Sequence, residues 1–458
     1  MTYTDTLFIF VFALLWLTVR ALRTSVVVRE WLIIGFGLFL VSSWGLSSLF
    51  VLLTVAAFNF VFVWIVFLTK RPLGLAKWAI VFDLAVLAFF KYSGFIGANL
   101  AWFPAARISL PAFGIPLAIS FYTFHIISYL VDFSRRATSP LPLRKYLFYL
   151  CFFPHLIAGP IVRTWQLAPQ VGRVRRVPGD LAIGVHYLVL GFFLKAAIAN
   201  NLAAAIDPIW EQGGELNVST ADYWLAAFLY YCQIYGDFAG YTLMALGMAR
   251  LLGYRLPPNF RGPMLAGTMQ GFWRRWHITL SFWLRDYLYI PLGGNQRGML
   301  RGLANVLITM LLGGLWHGAG WTFVAWGGMH GIGICGERLL GIRADLLAGW
   351  RRAAWWAVTQ FWVTIAWVFF RSPDLTGATN FFRAMFRFNH AGAWSVHGGL
   401  VLSLLFALGA VLHQTTPLWI NRVPRKHLGV LLGAATGILL VLDIVVYSPS
   451  KTFIYFQF

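Results

Sequence analysis

The stretch Leu303-Ala304-Asn305-Val306-Leu307-Ile308-Thr309-Met310-Leu311-Leu312-Gly313-Gly314-Leu315-Trp316 runs into His317-Gly318-Ala319-Gly320, and an apolar run resumes at Trp321. Its fourteen residues make a helix of about 21 Å, too short for a hydrocarbon core of about 30 Å. A turn after Trp316 therefore falls at membrane depth. Lipid offers no partner to a free N–H or C=O, so irregular backbone is tolerated there only inside protein or against a wet cavity. The spacing predicts a broken helix pair with His317 at the break, turned to the protein interior.

The rest of the chain supplies the membrane protein around that break. Of 458 residues, 59% are apolar, 17% aromatic and only 11% charged. A soluble domain carries about 25% charged residues. The composition excludes a soluble multidomain enzyme, a disordered chain, collagen and a secreted disulfide scaffold. A spanning helix needs about 20 mostly apolar residues. Runs of that kind occupy 6–22, 31–46, 48–69, 76–94, 115–133, 181–206, 222–236, 353–370, 399–412 and 428–447. The stretches 144–162, 237–253 and 302–340 are apolar too, but interrupted by Gly, Pro or polar residues. The expected fold is all-α and polytopic, with about 11–13 embedded elements, some broken or re-entrant. No long linker, low-complexity tract or internal repeat is evident, so one integral-membrane domain is expected, with N-terminal spans in 1–114 and the remainder in 115–458.

Lys and Arg number 36 against 15 Asp and Glu, a net charge of +21. These cations lie between apolar runs, where they set topology rather than bind nucleic acid. Arg20, Arg23 and Arg29 follow the first run. Lys70, Arg71 and Lys77 follow the third, and Arg135, Arg136, Arg144 and Lys145 the fifth. The intervening connections are poor in charge, with Ser47 and Ser48 in one and only Lys91 and Arg107 in the other. This alternation predicts a multi-pass protein with Met1 outside the cytoplasm. Asp5 and the absence of a basic start make the first run an anchor rather than a cleaved signal. Cys151, Cys232 and Cys335 are scattered through apolar stretches and form neither a CxxC motif nor a disulfide framework.

Chemistry-bearing residues are few. If Phe272–Tyr287 is one helix, Phe272, Trp276, Leu280, Trp283 and Tyr287 share an apolar face. Arg274, His277, Ser281 and Arg285 then line the opposite side, with Arg275, Thr279 and Asp286 on a flank. That pattern suits an interfacial helix with arginines at the headgroups, or one that turns its Arg/His face into a cavity. His277 and His317 are embedded imidazoles bracketed by Trp, and each is either a functional group or a neutral ring hydrogen-bonded in a packed interior. His330 follows among Gly327, Gly328 and Gly331, which permit close helix packing. No HxxxH or HExxH spacing supports a metal, and none is expected. Asp237, between apolar halves, calls for a hydrogen bond or an embedded arginine as partner. Phe153–Arg163, with Pro154, Gly159 and Pro160, reads as a re-entrant loop. No Gly-x-Ser-x-Gly elbow, Walker loop or dinucleotide fingerprint occurs in a supporting context.

Four segments in order carry a more specific signal: Phe153–Arg163 (FPHLIAGPIVR), Gln233–Arg250 (QIYGDFAGYTLMALGMAR), Phe272–Gly294 (FWRRWHITLSFWLRDYLYIPLGG) and Gly313–Gly331 (GGLWHGAGWTFVAWGGMHG). With the ending Phe453–Phe458 (FIYFQF), they make the chain from about residue 115 onward resemble the membrane-bound O-acyltransferase family. The likeness is to the branch that acetylates bacterial polysaccharides such as alginate and cellulose; the first hundred residues match in hydropathy only. Gly236 and Ala239 depart from the alginate-type pattern, which has a larger residue and a serine there.

The resemblance implies that His317 is the active-site histidine. It also implies that His277 is a second polar position, which is Asn in many relatives. It further implies a thioester donor, acetyl-CoA as substrate rather than a tightly bound cofactor, whose acetyl is moved towards hydroxyls of an exported polysaccharide. Arg274, Arg275 and Arg285 would attract the donor's phosphates. Trp276, Trp316, Asp237 and Tyr241 complete the expected donor- and substrate-binding set. The expected setting is the bacterial inner membrane, with membrane lipid and a polysaccharide, or a periplasmic acyltransferase, as partners and no nucleic acid. Two alternatives stand beside this expectation: a conduit that hands acetyl to that separate transferase, and a transporter for a small anion or lipid-linked sugar.

Overall fold

The computed structural model describes residues 3–22, 25–70, 73–100, 114–157, 159–173, 179–211, 219–388 and 397–446. Arg23, Arg71, Arg107, Ala158 and the Phe453–Phe458 ending lie outside these residues. The regular structure of the described residues is all helical, with no strand among them.

In chain order the helices are α1 (Thr6–Ala21), α2 (Val26–Ser42), α3 (Leu46–Leu68), α4 (Ala76–Leu100), α5 (Ile119–Ser134), α6 (Leu143–Cys151), α7 (Phe153–Leu156), α8 (Thr164–Leu167), α9 (Asp180–Phe192) and α10 (Asn200–Glu211). They continue as α11 (Thr220–Leu251), α12 (Met269–Trp273), α13 (Ile278–Leu284), α14 (Gly298–His317), α15 (Trp321–Leu339), α16 (Gly349–Arg371), α17 (Leu375–Met385), α18 (His397–Arg422) and α19 (Arg425–Val446). Wider π-helical turns occupy Phe193–Ala199 and Arg285–Tyr289.

Seven helices among the described residues are long and apolar enough to cross a membrane: Leu46–Leu68, Ala76–Leu100, Asp180–Glu211, Gly298–His317, Gly349–Arg371, Ser403–Arg422 and His427–Val446. The protein is thus a polytopic, all-α membrane protein. Thr6–Ala21 is apolar but shorter. Helices α2 and α5, at 17 and 16 residues, fall short in length. Helices α11 and α15 are diluted by polar groups that are buried, Asp237 in one and His330 and Glu337 in the other. A buried polar group in an embedded helix is costly and marks where chemistry is to be sought.

The chain forms two compact units, one of residues 1–185 and 245–257, the other of 186–244 and 258–458. In the first, α6 ends at Cys151 and the segment past α7 runs without helical bonds to Arg163. Tyr149 Oη donates to Val162 O at 2.9 Å, and Val162 N donates to His125 Nε2 at 3.1 Å, so this buried irregular backbone finds its partners within the protein. A β-carbon at Gly159 would sit 2.3 Å from Pro154 O, which leaves glycine as the fitting residue. The break expected from Pro154, Gly159 and Pro160 is present.

In the second unit α14 and α15 form a tight hairpin. A β-carbon at Gly327 would lie 2.2 Å from Met310 O, and one at Gly314 would lie 2.2 Å from Phe323 O. Small residues let two backbones approach this closely. The hairpin turns through Gly318 and Gly320, both extended, and a β-carbon at Gly318 would strike the Phe323 ring at 2.1 Å. The break predicted after Trp316 falls one residue later, with His317 ending α14. The helix before it is not the short one expected from Leu303–Trp316. It starts at Gly298 and, at 20 residues, is long enough to cross a membrane, so the helix length does not place the turn at membrane depth.

Two expectations are corrected. The runs 222–236 and 237–253 are one helix of 32 residues, α11. Gly236 and Gly240 do not interrupt it, because they serve packing: a β-carbon at Gly240 would meet Gly191 O at 2.7 Å. Conversely, Phe272–Tyr287 is not one helix. It breaks between α12 and α13 at His277, whose φ of 40° and ψ of 53° are left-handed, and it widens into a π-turn at Arg285.

Candidate active site

His277 is held by its neighbours' backbone. Ile278 N donates to Asn259 O at 2.9 Å, and Thr279 donates from its hydroxyl to Asn259 Oδ1 at 2.6 Å and from its N–H at 3.3 Å. Asn259 Nδ2 in turn donates to Thr242 Oγ1 at 3.4 Å. Left-handed backbone at a non-glycine residue costs of order 1–3 kcal/mol and persists only where the surroundings over-determine it. Here Asn259 supplies that constraint. The turn buries the His277 ring completely while leaving Arg274 and Arg275 exposed. The supposed Arg/His face is therefore split, because the left-handed residue redirects the chain between them.

His317, 4% exposed, ends α14 and meets His277 with 6.3 Å between ring centroids. Trp316 stands 4.9 Å from the His317 ring and 6.3 Å from that of His277. Trp326 of α15 and Phe370 of α16 pack on His317 at 5.0 and 5.5 Å. Phe238 of α11 packs on His277 at 4.6 Å. Two imidazoles thus share an aromatic enclosure at a helix break, and both were named from sequence.

The remaining candidates divide. Trp276 is fully buried in a neighbouring stack, 5.6 Å from Phe272 and 5.1 Å from Trp367. Asp237 pairs with Lys195 of the π-turn, Nζ to Oδ1 at 2.6 Å, and that Nζ lies 5.7 Å from the Tyr241 ring centre. The embedded partner of Asp237 is a lysine where an arginine was expected. Lys195 was passed over as part of a plain span, although one lysine inside an apolar run is itself the signal. Arg274, Arg285 and Arg338 line a cavity of about 250 Å³ with Trp273 in its wall. Arg274 and Arg338 also border a larger polar cavity of about 840 Å³ together with Arg343 and Glu337. Arg275 lines neither cavity.

Glu337 was missed as well. Its carboxylate accepts from Met269 N, from Gln270 N at 3.1 Å and from Trp355 Nε1 at 3.3 Å. It thereby anchors the start of α12 to α15. No cluster of three or more His, Cys, Asp or Glu suited to a metal occurs among the described residues.

Comparison with known proteins takes in the four ordered segments and corrects their extent. The family likeness reaches back through the first hundred residues instead of starting near residue 115, and the family match ends at 371, short of the Phe453–Phe458 ending. The model of the membrane-bound O-acyltransferase family matches residues 3–371. The probable alginate O-acetylase AlgI of Pseudomonas aeruginosa is 39% identical over 334 residues, covering 71% of this chain and 63% of that protein. A peptidoglycan O-acetyltransferase of Helicobacter pylori is 32% identical over 400 residues, covering 79% and 74%. A teichoic acid D-alanyltransferase of Streptococcus thermophilus is 31% identical over 236 residues, covering 48% and 55%. The chain spans 63% and 64% of the alginate relatives from P. aeruginosa and Pseudomonas putida.

Proposed function

The chain belongs to the membrane-bound O-acyltransferase family, and from that premise we propose that it is an O-acetyltransferase. In this reading acetyl moves from a cytoplasmic thioester, of which acetyl-CoA is the type, to hydroxyls of a polysaccharide exported across a bacterial inner membrane. The relatives named for alginate and peptidoglycan O-acetylation support a polysaccharide acceptor. The observation that carries the chemistry is the pairing of His317 and His277 at the α14–α15 break, 6.3 Å apart and walled by rings.

The reaction needs a base, a polarised carbonyl and a fixed donor. His317 takes the proton of a sugar hydroxyl as the oxygen attacks the thioester carbon. The C–S bond breaks, and the thiolate recovers the proton from the imidazolium. His277 donates a hydrogen bond to the carbonyl oxygen as charge builds there, an effect worth up to about 3–4 kcal/mol when donor and acceptor are fixed. The clamp on His277 supports that fixity. Arg274, Arg285, Arg338 and Arg343, which line the two cavities, form the seat for the donor's phosphates. Arg275 is left out of it.

His317→Ala should abolish polymer acetylation in cells while protein level stays at that of the wild type. Mass spectrometry of the exopolysaccharide reads the outcome, and acetylation retained in that variant removes His317 from the reaction.

A further inference from the structure

We propose that His330, with the indole N–H groups of Trp273 and Trp326 beside it, binds the uncharged, amide-bearing arm of the thioester donor on its way to His317. The inference rests on the acyl-transfer reading and adds to it a residue that the reaction scheme does not use.

His330 is fully buried in α15. Trp326 stands 4.7 Å from its ring, Trp273 5.1 Å, Phe272 5.8 Å and Trp367 6.4 Å. A neutral imidazole carries one N–H and one acceptor nitrogen. Neither nitrogen of His330 has a hydrogen-bond partner among the described residues, nor do the indole nitrogens of Trp273, Trp326 and Trp367. Native interiors rarely leave buried polar atoms unmatched, and each such atom needs a cause. Five in one cluster of touching rings make a group of donors and an acceptor matched to something polar and uncharged. A phenylalanine would fill the position of His330 without that penalty.

The cluster's neighbours say what the match is. Trp273 lines the cavity that holds Arg274, Arg285 and Arg338. Trp326 packs on His317 at 5.0 Å. His330 therefore stands between an anion-attracting rim and the reacting imidazole. Along α15, Arg338 and Trp326 are twelve residues apart, about 18 Å of helix axis, with His330 between them. A donor that ends in phosphates and holds its acyl group on a long neutral arm fits that order: phosphates at the arginines, amides at His330, thioester at His317. Glu337 sets the geometry by anchoring α12, which carries Trp273.

The test uses the full chain in lipid nanodiscs, with His317→Ala as the parent so that donor is bound without turnover, and acetyl-CoA as the probe. Calorimetry should show acetyl-CoA binding to the parent. Adding His330→Phe should weaken it about tenfold or more, the size of one hydrogen bond to a polar ligand, and His330→Gln should restore most of the loss. The melting temperature of the His330→Phe protein should equal or exceed that of the parent. Binding as tight in His330→Phe as in the parent overturns the inference alone, and so does a loss that Gln fails to restore. A parent that does not bind acetyl-CoA overturns the donor reading beneath it.

Discussion

His277 shows how a single backbone conformation separates chemistry from its surroundings. At φ 40° its ring turns inward while the preceding arginines stay at the surface. The constraint is Asn259, which accepts twice from Thr279 and also offers its backbone carbonyl to Ile278. Asn259→Ala removes the side-chain half of this clamp, the oxygen that accepts both Thr279 bonds, at a cost of about 0.5–1.5 kcal/mol per bond. The expected result is a lower melting temperature and an acetyl-transfer rate reduced about tenfold or more, since a catalytic hydrogen bond depends steeply on position. Thermal unfolding in detergent and initial rates on the same preparation read both. An unchanged rate would mean that His277 keeps its place without Asn259. The residue scale is also where sequence reading reached furthest: His317 announced itself through the Gly-rich break, although the helix before it proved to be a full span rather than a short one. Asn259 gave no such signal, because its partners are brought to it only by the fold.

Among the elements, long apolar helices were legible and their interruptions only in part. Composition over some twenty residues decides whether a segment can span, so α3, α4, α16 and α19 follow from their sequences. Whether glycine breaks a helix or packs it depends on what stands opposite. Gly240 in α11 faces Gly191 and the helix continues. The left-handed turn at His277 occurs with no Gly or Pro at the break itself, so a periodic apolar pattern runs straight through it. The α14–α15 hairpin gives the sharpest test of the packing argument. Gly327→Ala places a methyl 2.2 Å from Met310 O, whereas Gly336→Ala, on the same helix, meets nothing within 4 Å. Overpacking costs typically about 1–3 kcal/mol, while Ala in place of Gly in an open helical site gains about 0.5–1 kcal/mol. Gly327→Ala should therefore melt earlier and lose activity with the hairpin's geometry. Gly336→Ala should be neutral or slightly more stable. Equal melting temperatures for the pair would show that the hairpin gives way at little cost.

At the scale of the whole molecule, the proposed reaction takes acetyl from the cytoplasm to a polymer outside it, which would put the two substrates on opposite sides of the membrane. The chain's orientation is then part of its mechanism. The basic loops supply the expectation: Arg20 and Arg29, Lys70 and Lys77, and Arg135 and Arg136 alternate with charge-poor connections, and Lys and Arg stay cytoplasmic. The connection at Ser47 should therefore face outward and the one at Thr69 inward. The protein offers a quiet background for reading this, because Cys151, Cys232 and Cys335 are all free and buried. Ser47 and Thr69 are both exposed. A membrane-impermeant maleimide added to intact spheroplasts should label Ser47→Cys and leave Thr69→Cys unmarked until the membrane is permeabilised. Labelling of Thr69→Cys from outside, with Ser47→Cys protected, would invert the topology.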